Sequence, residues 1–132
     1  MLITVLCTPI IVEPAHPKLR PTELKCLMDN IYYEARGEPL KGQLLVARTT
    51  LNRAKPFGSI CAAVYQPYQF SWTLAPKKPK INKETYRKLE KVAYMALYYH
   101  SPVYYFHSKQ VKPKWANTKT KIASIGNHIY YH

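Results

Sequence analysis

The stretch YEARGEP, residues 33–39, marks the junction between two helices and decides how the chain folds. Gly37 and Pro39 interrupt helical geometry, so they are predicted to end one helix and begin the next. Before the junction, with Thr22 as the predicted N-cap, apolar residues recur at spacings of three and four: Leu24, Leu27, Met28, Ile31 and Ala35. After it, to about Ala54, a second apolar face comprises Leu40, Leu44, Ala47 and Leu51.

Beyond these two helices, the patterns change from helix-forming to strand-forming towards the end of the chain. A short helix is predicted from Ser59, as its cap, through Tyr65. A longer helix is predicted from the Asn82 cap to about Tyr99, with a buried stripe of Leu89, Val92, Ala93 and Ala96. The predicted strands are Val103–Phe106 and His128–Tyr131. The predicted turns and loops are Pro56–Gly58, residues 66–73 (alternatively a short strand), Lys109–Lys121 and Ile125–Asn127. The sequence thus predicts an α+β fold, with helices in the first two thirds and a small antiparallel sheet late.

The domain organisation follows from length and proline content. With 132 residues the chain suits one domain with one core, and we place that domain at residues 22–132. Residues 1–21 are predicted to be an N-terminal arm, extended where three prolines occur close together. The apolar start, residues 2–12, is too short to span a bilayer and lacks the basic residues of a signal peptide, so a strand is favoured there.

Glu34 occupies an unusual position on the first helix. On a wheel of about 100° per residue it falls about 20° from Leu27, at the margin of the apolar face and in the last helical turn. Partial burial and the negative end of the helix dipole both raise the pKa of a carboxyl group. A carboxyl that stays protonated near neutrality suits a general acid. The alternative is an ordinary glutamate that faces water or pairs with Arg36 or Arg53.

Several ordered motifs extend from this junction over nearly the whole chain. They are YYEARGEP (32–39), LNR (51–53), VYQP (64–67), QFSW (69–72), YFH (105–107) and IGNHIYY (125–131). Together they resemble the SleB-type cell-wall hydrolase family, which includes spore cortex-lytic enzymes and related phage endolysins. The resemblance implies a lysozyme-like domain that cleaves peptidoglycan glycan strands between N-acetylmuramic acid and N-acetylglucosamine. It also implies that Glu34 is the essential acid/base.

The chain has seven carboxylates, which restricts the possible mechanisms. Glycosidases ordinarily place two carboxylates around the scissile bond. Glu13 and Glu23 lie in the arm and a first helical turn, and Glu84 and Glu90 lie on a lysine-rich helix. Asp29 lies about 140° from Glu34 around its helix, which leaves Glu38 as the only candidate for a second one. We expect Glu38 instead to accept backbone N–H bonds at the start of the second helix. One catalytic glutamate predicts lytic transglycosylation, and a two-carboxylate muramidase is the alternative.

Aromatic and polar residues in two of these motifs are candidates for substrate binding. The segment Gln69, Phe70, Ser71 and Trp72 is expected either to line a glycan groove or to pack as an aromatic loop on the core. Tyr105 and His107 alternate along a strand and therefore share one face, where they would orient substrate, although Tyr105 also suits a core position. Trp115 is expected to be a packing anchor and His128 a structural hydrogen-bonding residue.

The cysteines and histidines do not predict a metal site or a cofactor. No C-x-x-C or H-E-x-x-H spacing occurs, so we expect neither metal nor cofactor. Cys26 and Cys61 both fall within the family-like segments, and the sequence leaves open whether they form a disulfide. Cys7 is left over in either case.

The net charge of +13 is concentrated late in the chain and predicts a polyanionic partner. Residues 77–121 contain 12 basic and 2 acidic side chains, a balance of +10. We expect this region to bind anionic cell-wall polymers. A nucleic-acid-binding module is the alternative, although no known recognition pattern for nucleic acid occurs. Without an evident export signal, the expected protein acts on the bacterial wall as a phage lysin, released by a holin or carried in the virion.

Overall fold

The computed structural model describes residues 18–132, which form a helical layer followed by a small sheet. The helices are α1 (Pro21–Ala35), α2 (Leu40–Phe57), α3 (Ile60–Val64) and α4 (Lys83–Leu97). The strands are β1 (Tyr105–Ser108), β2 (Lys121–Ile125) and β3 (His128–Tyr131), and two 3₁₀ helices span Ser71–Leu74 and Lys114–Thr118. The α+β prediction is confirmed. The strand expected in residues 2–12 and most of the predicted arm lie outside the described residues.

Two of the three predicted side-chain N-caps are present. The Ser59 side chain accepts a hydrogen bond from the amide of Ala62, and that of Asn82 accepts one from the amide of Thr85. Each cap satisfies an amide that the first helical turn leaves without a partner. The apolar stripe predicted for α4 is also confirmed, because all four of its residues are buried: Leu89, Val92, Ala93 and Ala96.

Two helix ends differ from the sequence prediction. The first helix begins at Pro21 with Arg20 as its N-cap, rather than at Thr22, because a proline suits the first helical position. The predicted turn Pro56–Gly58 is wrong for its first two residues, since α2 continues through Phe57. Gly58 then ends the helix with φ 65°, a left-handed conformation that glycine adopts without steric cost.

The core has two parts, and the second joins the helices to the sheet. The larger part lies among the four helices and includes Leu27, Ile31 and Val64. The smaller part comprises Ala35, Leu45, Val46, Val103 and Tyr130. Ala35 is the last residue of α1, and it shares this smaller core with Tyr130 of the sheet. The end of α1, which contains Glu34, is therefore fixed against the sheet.

The sheet is antiparallel, with β3 at its centre in the order β1-β3-β2. Phe106 of β1 lies opposite Tyr130 of β3. Strand β2 was not predicted. It begins at Lys121, the last residue of the predicted loop, and ends at Ile125, the first residue of the predicted turn. Three of its five residues are exposed, so its sequence lacks the marked hydrophobic alternation of a half-buried strand. Strand β1 also begins two residues later than predicted.

Two contacts join α1 to α3. Cys26 and Cys61 form a disulfide with a Cα–Cα distance of 5.3 Å, which settles the pairing that the sequence left open. The Glu23 carboxylate accepts hydrogen bonds from the Cys61 amide at 3.0 Å and the Ser59 hydroxyl at 2.7 Å. These bonds lower the pKa of Glu23 despite the opposing effect of its burial. The short helix α3 is therefore anchored through α1. No helix within residues 18–132 has the length and apolar character needed to cross a membrane.

Removing the disulfide is expected to destabilise the fold. Its partners are 35 residues apart, and closing a loop of that size restricts the unfolded chain by about 3–4 kcal/mol. The double substitution Cys26→Ser and Cys61→Ser should lower the free energy of unfolding by about that amount in urea titrations. Thiol-reduced wild type should match the double mutant. Equal stabilities of oxidised wild type and double mutant would contradict this account.

Candidate active site

An open cleft of about 750 Å³ lies between the end of α1, the segment 68–74, strand β1 and the segment 111–119. Strand β1 supplies Tyr105, His107 and their neighbours to one wall, while Gln69 and Ser71 line another. Glu34 is the only carboxylate that lines this cleft within residues 18–132. The fold therefore brings together, around one glutamate, side chains that are distant in sequence.

Glu34 is partly buried, and its carboxyl group has no fixed partner. In the described part of the chain it accepts no hydrogen bond and forms no ion pair. Burial raises its pKa to about 7, and the positive charge of Arg53 opposes this rise. A carboxyl with this pKa exists in both protonation states near neutral pH, as a group that first donates and then accepts a proton requires.

Arg53 is fixed beside the cleft by groups other than Glu34. Its Nε donates to the Tyr104 carbonyl and its Nη1 to Gln69 Oε1, both at 2.8 Å. Its guanidinium also lies 5.4 Å from the centre of the Tyr105 ring. Arg53 thus affects Glu34 through its charge alone, and the ion pair considered as an alternative does not form. The guanidinium of Arg36 lies over the Tyr32 ring instead, at 5.1 Å.

The segment 69–72 divides between the cleft and the core. Gln69, Phe70 and Ser71 line the cleft, although Phe70 is 3% exposed and packs mainly inward. Trp72 does not line it. Its indole Nε1 donates to Asn30 Oδ1 at 2.8 Å, and its ring stacks on that of Tyr33 at 4.7 Å. For Trp72 the geometry matches the interpretation of an aromatic residue packed on the core.

Tyr105 and His107 both line the cleft, but the imidazole of His107 is already hydrogen-bonded. Its Nδ1 lies 2.7 Å from the Ser108 carbonyl and its Nε2 lies 2.8 Å from the Tyr131 hydroxyl. Since a carbonyl only accepts, Nδ1 carries the proton and Nε2 accepts from Tyr131. His107 therefore shapes the wall and leaves no ring nitrogen for substrate. Trp115 packs on both Tyr105 and His107, as expected of an anchor, and its ring also lines the cleft.

Glu38 lies outside the cleft lining and joins the helical junction to the sheet. Its Oε1 accepts a 2.8 Å hydrogen bond from the Asn127 amide and lies 3.2 Å from His128 Nδ1. Glu38 was predicted to accept hydrogen bonds from backbone amides at the start of α2. This prediction is wrong about the donor, because the amide that Glu38 binds belongs to Asn127 in the β2–β3 turn. Burial lowers the pKa of His128 more than Glu38 raises it, so at neutral pH the ring is a neutral donor. The prediction for His128 as a structural hydrogen-bonding residue agrees with this contact.

Asp29, the other carboxylate on the middle of α1, is also engaged elsewhere. It is buried and accepts hydrogen bonds from Lys25 Nζ at 2.6 Å and from the Tyr86 hydroxyl at 2.7 Å. Burial and this bond raise the pKa of Tyr86 to about 12. Asp29 therefore contributes to packing between α1 and α4 and does not reach Glu34's cleft.

The cleft contains residues that the sequence did not single out. Among those not assigned to the site beforehand are Tyr68, Leu74, Ser108, Val111 and Lys119, and Arg53 was considered only as an ion-pair partner of Glu34. Lys119 places its ammonium 4.5 Å from the centre of the Tyr105 ring. The motif LNR contained a signal for Arg53, since an arginine within an ordered motif is a candidate for a site. Within residues 18–132 no three His, Cys, Asp or Glu side chains converge as a metal site would require.

The helical layer, the late three-stranded sheet and the cleft between them define a lysozyme-like α+β fold. The chain belongs to the cell wall hydrolase family, whose model matches residues 37–131 and so begins three residues after Glu34.

Solved structures and curated relatives agree with this assignment. The catalytic domain of the germination-specific lytic transglycosylase SleB from Bacillus anthracis is 23% identical, with a TM-score of 0.67 over 86% of this chain and 97% of that one. The catalytic domain of SleB from Bacillus cereus is 27% identical, with a TM-score of 0.69 over 88% and 94%. A spore cortex-lytic enzyme of Oceanobacillus iheyensis is 28% identical over 82% of this chain. The chain spans 41% of the length of that relative.

Substitution of Glu38 is expected to affect stability rather than chemistry. Glu38→Ala removes the acceptor shared by the Asn127 amide and the buried His128 ring, and it should lower the free energy of unfolding by about 1–3 kcal/mol. Glu38→Gln retains an amide oxygen and should cost less. Both mutants should degrade purified cell walls in proportion to their folded fraction, measured by circular dichroism. A stable but inactive Glu38→Gln mutant would instead identify Glu38 as a second catalytic carboxylate.

Proposed function

We propose that this chain cleaves the glycan strands of peptidoglycan between N-acetylmuramic acid and N-acetylglucosamine, as a lytic transglycosylase with Glu34 as its single catalytic acid/base. The observation that carries the proposal is the cleft itself. Among its described lining residues Glu34 is the only carboxylate, and its pKa is raised to about 7. Membership in the cell wall hydrolase family supports the substrate class.

In the first step, protonated Glu34 donates its proton to the glycosidic oxygen as the bond to the muramoyl anomeric carbon breaks. The oxocarbenium-like muramoyl ring then reacts with its own 6-hydroxyl. The Glu34 carboxylate removes the proton of this hydroxyl while the oxygen bonds to the anomeric carbon. The products are an N-acetylglucosamine end and a 1,6-anhydromuramoyl end, and Glu34 regains its proton.

This mechanism needs only one carboxylate because the nucleophile belongs to the substrate. A muramidase with two carboxylates requires a second one on the opposite side of the scissile bond, about 5–9.5 Å from the first. Glu38 does not line the cleft, and it is bonded to Asn127 and His128. The geometry of Glu38 therefore favours the one-carboxylate mechanism.

Arg53 suits the second half of the reaction. Once Glu34 has donated its proton, the remaining carboxylate is an anion in a partly buried place, which is unfavourable. The fixed positive charge of Arg53 lowers this penalty, since it opposes the rise in the pKa of Glu34. Because Arg53 is bonded to Tyr104 and Gln69, its charge needs no rearrangement during the reaction.

Replacement of Glu34 by glutamine should abolish most activity. Glutamine preserves size but cannot transfer the proton, so the rate should fall by at least about 100-fold. The wild type should release anhydromuramoyl ends, detected by mass spectrometry of the digest. Its kcat/KM should decline as the pH rises through about 7, because only protonated Glu34 starts the reaction.

Glu84→Gln is a matched control, because Glu84 lies on the exposed face of α4 and is 3.9 Å from Lys88. It should leave both rate and pH profile unchanged. Substantial activity in a folded Glu34→Gln mutant would contradict the assignment of Glu34. Ordinary reducing ends in the wild-type digest would contradict transglycosylation and favour attack by water.

We also propose that the basic region 77–121 binds anionic cell-wall polymers. Lys77, Lys78 and Lys80 are exposed and lie outside the cleft, so they are available to an extended polyanion. Lys119 differs from them because it lines the cleft beside Tyr105. The surface lysines would retain the enzyme on the wall, whereas Lys119 would contact the strand being cleaved.

Substitution of Lys77, Lys78 and Lys80 by glutamate should reduce the fraction of protein that sediments with purified walls. The difference from the wild type should be larger at low salt, where charges are screened less. Turnover of short soluble glycan fragments should change little, because exposed charges act over about 8–10 Å. Lys119→Gln is the matched comparison and should impair turnover of the soluble fragments. An equal loss on soluble fragments in the triple mutant would show that its lysines act in the site.

The proposed site of action is the bacterial cell wall. The more specific interpretation, a phage-encoded lysin released by a holin or carried in the virion, stays a prediction from the sequence. It depends on the first residues of the chain, which lie outside the described residues.

A further inference from the structure

Tyr68 has a backbone conformation that tyrosine disfavours. Residues Gln66–Gln69 form a turn closed by a 3.2 Å hydrogen bond from the Gln69 amide to the Gln66 carbonyl. Pro67 occupies the second position, and Tyr68 in the third has φ 65°. This is the pattern of a type II turn, whose third position favours glycine or asparagine. Among residues 18–132, Tyr68 is the only non-glycine residue with a positive φ.

The side chain of Tyr68 does not compensate for this backbone conformation. It is 87% exposed, and within the described residues it makes no hydrogen bond, ion pair or ring contact. Other tyrosines near the cleft pack on aromatic neighbours, as Tyr105 does on Trp115. A residue that opposes its turn and contributes no contact to the fold indicates a role outside the fold.

The turn places this ring at the rim of the cleft that contains Glu34. The next residue, Gln69, is bonded to Arg53 and fixes one end of the turn against the site. Two further apolar side chains of the rim are exposed, Leu74 at 65% and Val111 at 52%. Exposed apolar side chains therefore lie at the entrance of the cleft beside the exposed Gln69 and Ser71, while its interior holds Glu34 and Arg53.

We propose that Tyr68 stacks on a pyranose ring of the glycan strand and defines a binding subsite at the rim, away from the bond that Glu34 would protonate. A tyrosine ring offers a flat apolar face to the C–H face of a sugar, and it loses little conformational freedom on binding. The inference rests on the proposed function and extends it, because it assigns substrate binding to a residue outside the catalytic step.

The test measures the affinity of the Glu34→Gln protein for soluble, peptide-free glycan strands by calorimetry. In that background, Tyr68→Gly and Tyr68→Asn remove the ring and suit the turn, so the melting temperature should stay equal or rise. Affinity should fall about tenfold, which corresponds to about 1.4 kcal/mol. Tyr68→Phe should retain affinity. Phe57→Ala, at an exposed aromatic residue outside the cleft, is the matched control and should change nothing.

Unchanged affinity in Tyr68→Gly would overturn the assignment, and so would an equal loss in Phe57→Ala. The proposed function is tested separately, by digestion of peptidoglycan with the protein that retains Glu34. If strands bind through Tyr68 but no muropeptides are released, the proposed function fails and the subsite stands. If muropeptides are released and Tyr68→Gly binds normally, the subsite fails and the proposed function stands.

Discussion

The hydrogen bond from the Asn127 amide to the Glu38 carboxylate holds the two layers of this fold in register. Glu38 lies four residues after Glu34, at the α1–α2 junction, and Asn127 lies in the turn before the central strand β3. The contact is possible because Gly126 has no side chain: a Cβ atom there would collide with the Glu38 carboxylate. The Glu38 carboxylate and the space left by Gly126 therefore help to set the position of the sheet relative to Glu34, together with the core that Ala35 and Tyr130 share.

The cleft follows from this arrangement. Strand β1 pairs with β3, so fixing β3 also fixes the wall that contains Tyr105 and His107. Arg53 joins two walls, since it is bonded both to the carbonyl of Tyr104 and to the side chain of Gln69. Glu34 is left between them, partly buried and without a hydrogen bond from the described residues. Burial of this unpaired carboxyl raises its pKa, and the positive charge of Arg53 opposes the rise.

The sequence predicted the features that depend on local spacing and left out those that depend on distant contacts. The buried stripe of α4, its Asn82 cap and the marginal position of Glu34 follow from helical periodicity, which acts over a few residues. The partner of Glu38 could not be predicted in this way, because Asn127 is 89 residues away. Trp72 belongs to the same motif as Gln69 and Ser71, yet only the fold shows that its ring turns towards Asn30. Strand β2 was missed because an exposed edge strand has little hydrophobic signature.

The burial of Glu34 also couples proton binding to folding. The pKa of Glu34 is about 7 in the folded protein, against the ordinary value of 4.5 that applies to the unfolded chain. Between these two pH values the folded state therefore holds a proton that the unfolded state has released. Raising the pH through this window therefore removes stability, by up to about 1.4 kcal/mol per pH unit where the difference is complete. Below about pH 4.5 both states are protonated and the effect vanishes. The group proposed to begin the reaction is thus one that makes the domain less stable in alkaline surroundings than in mildly acidic ones.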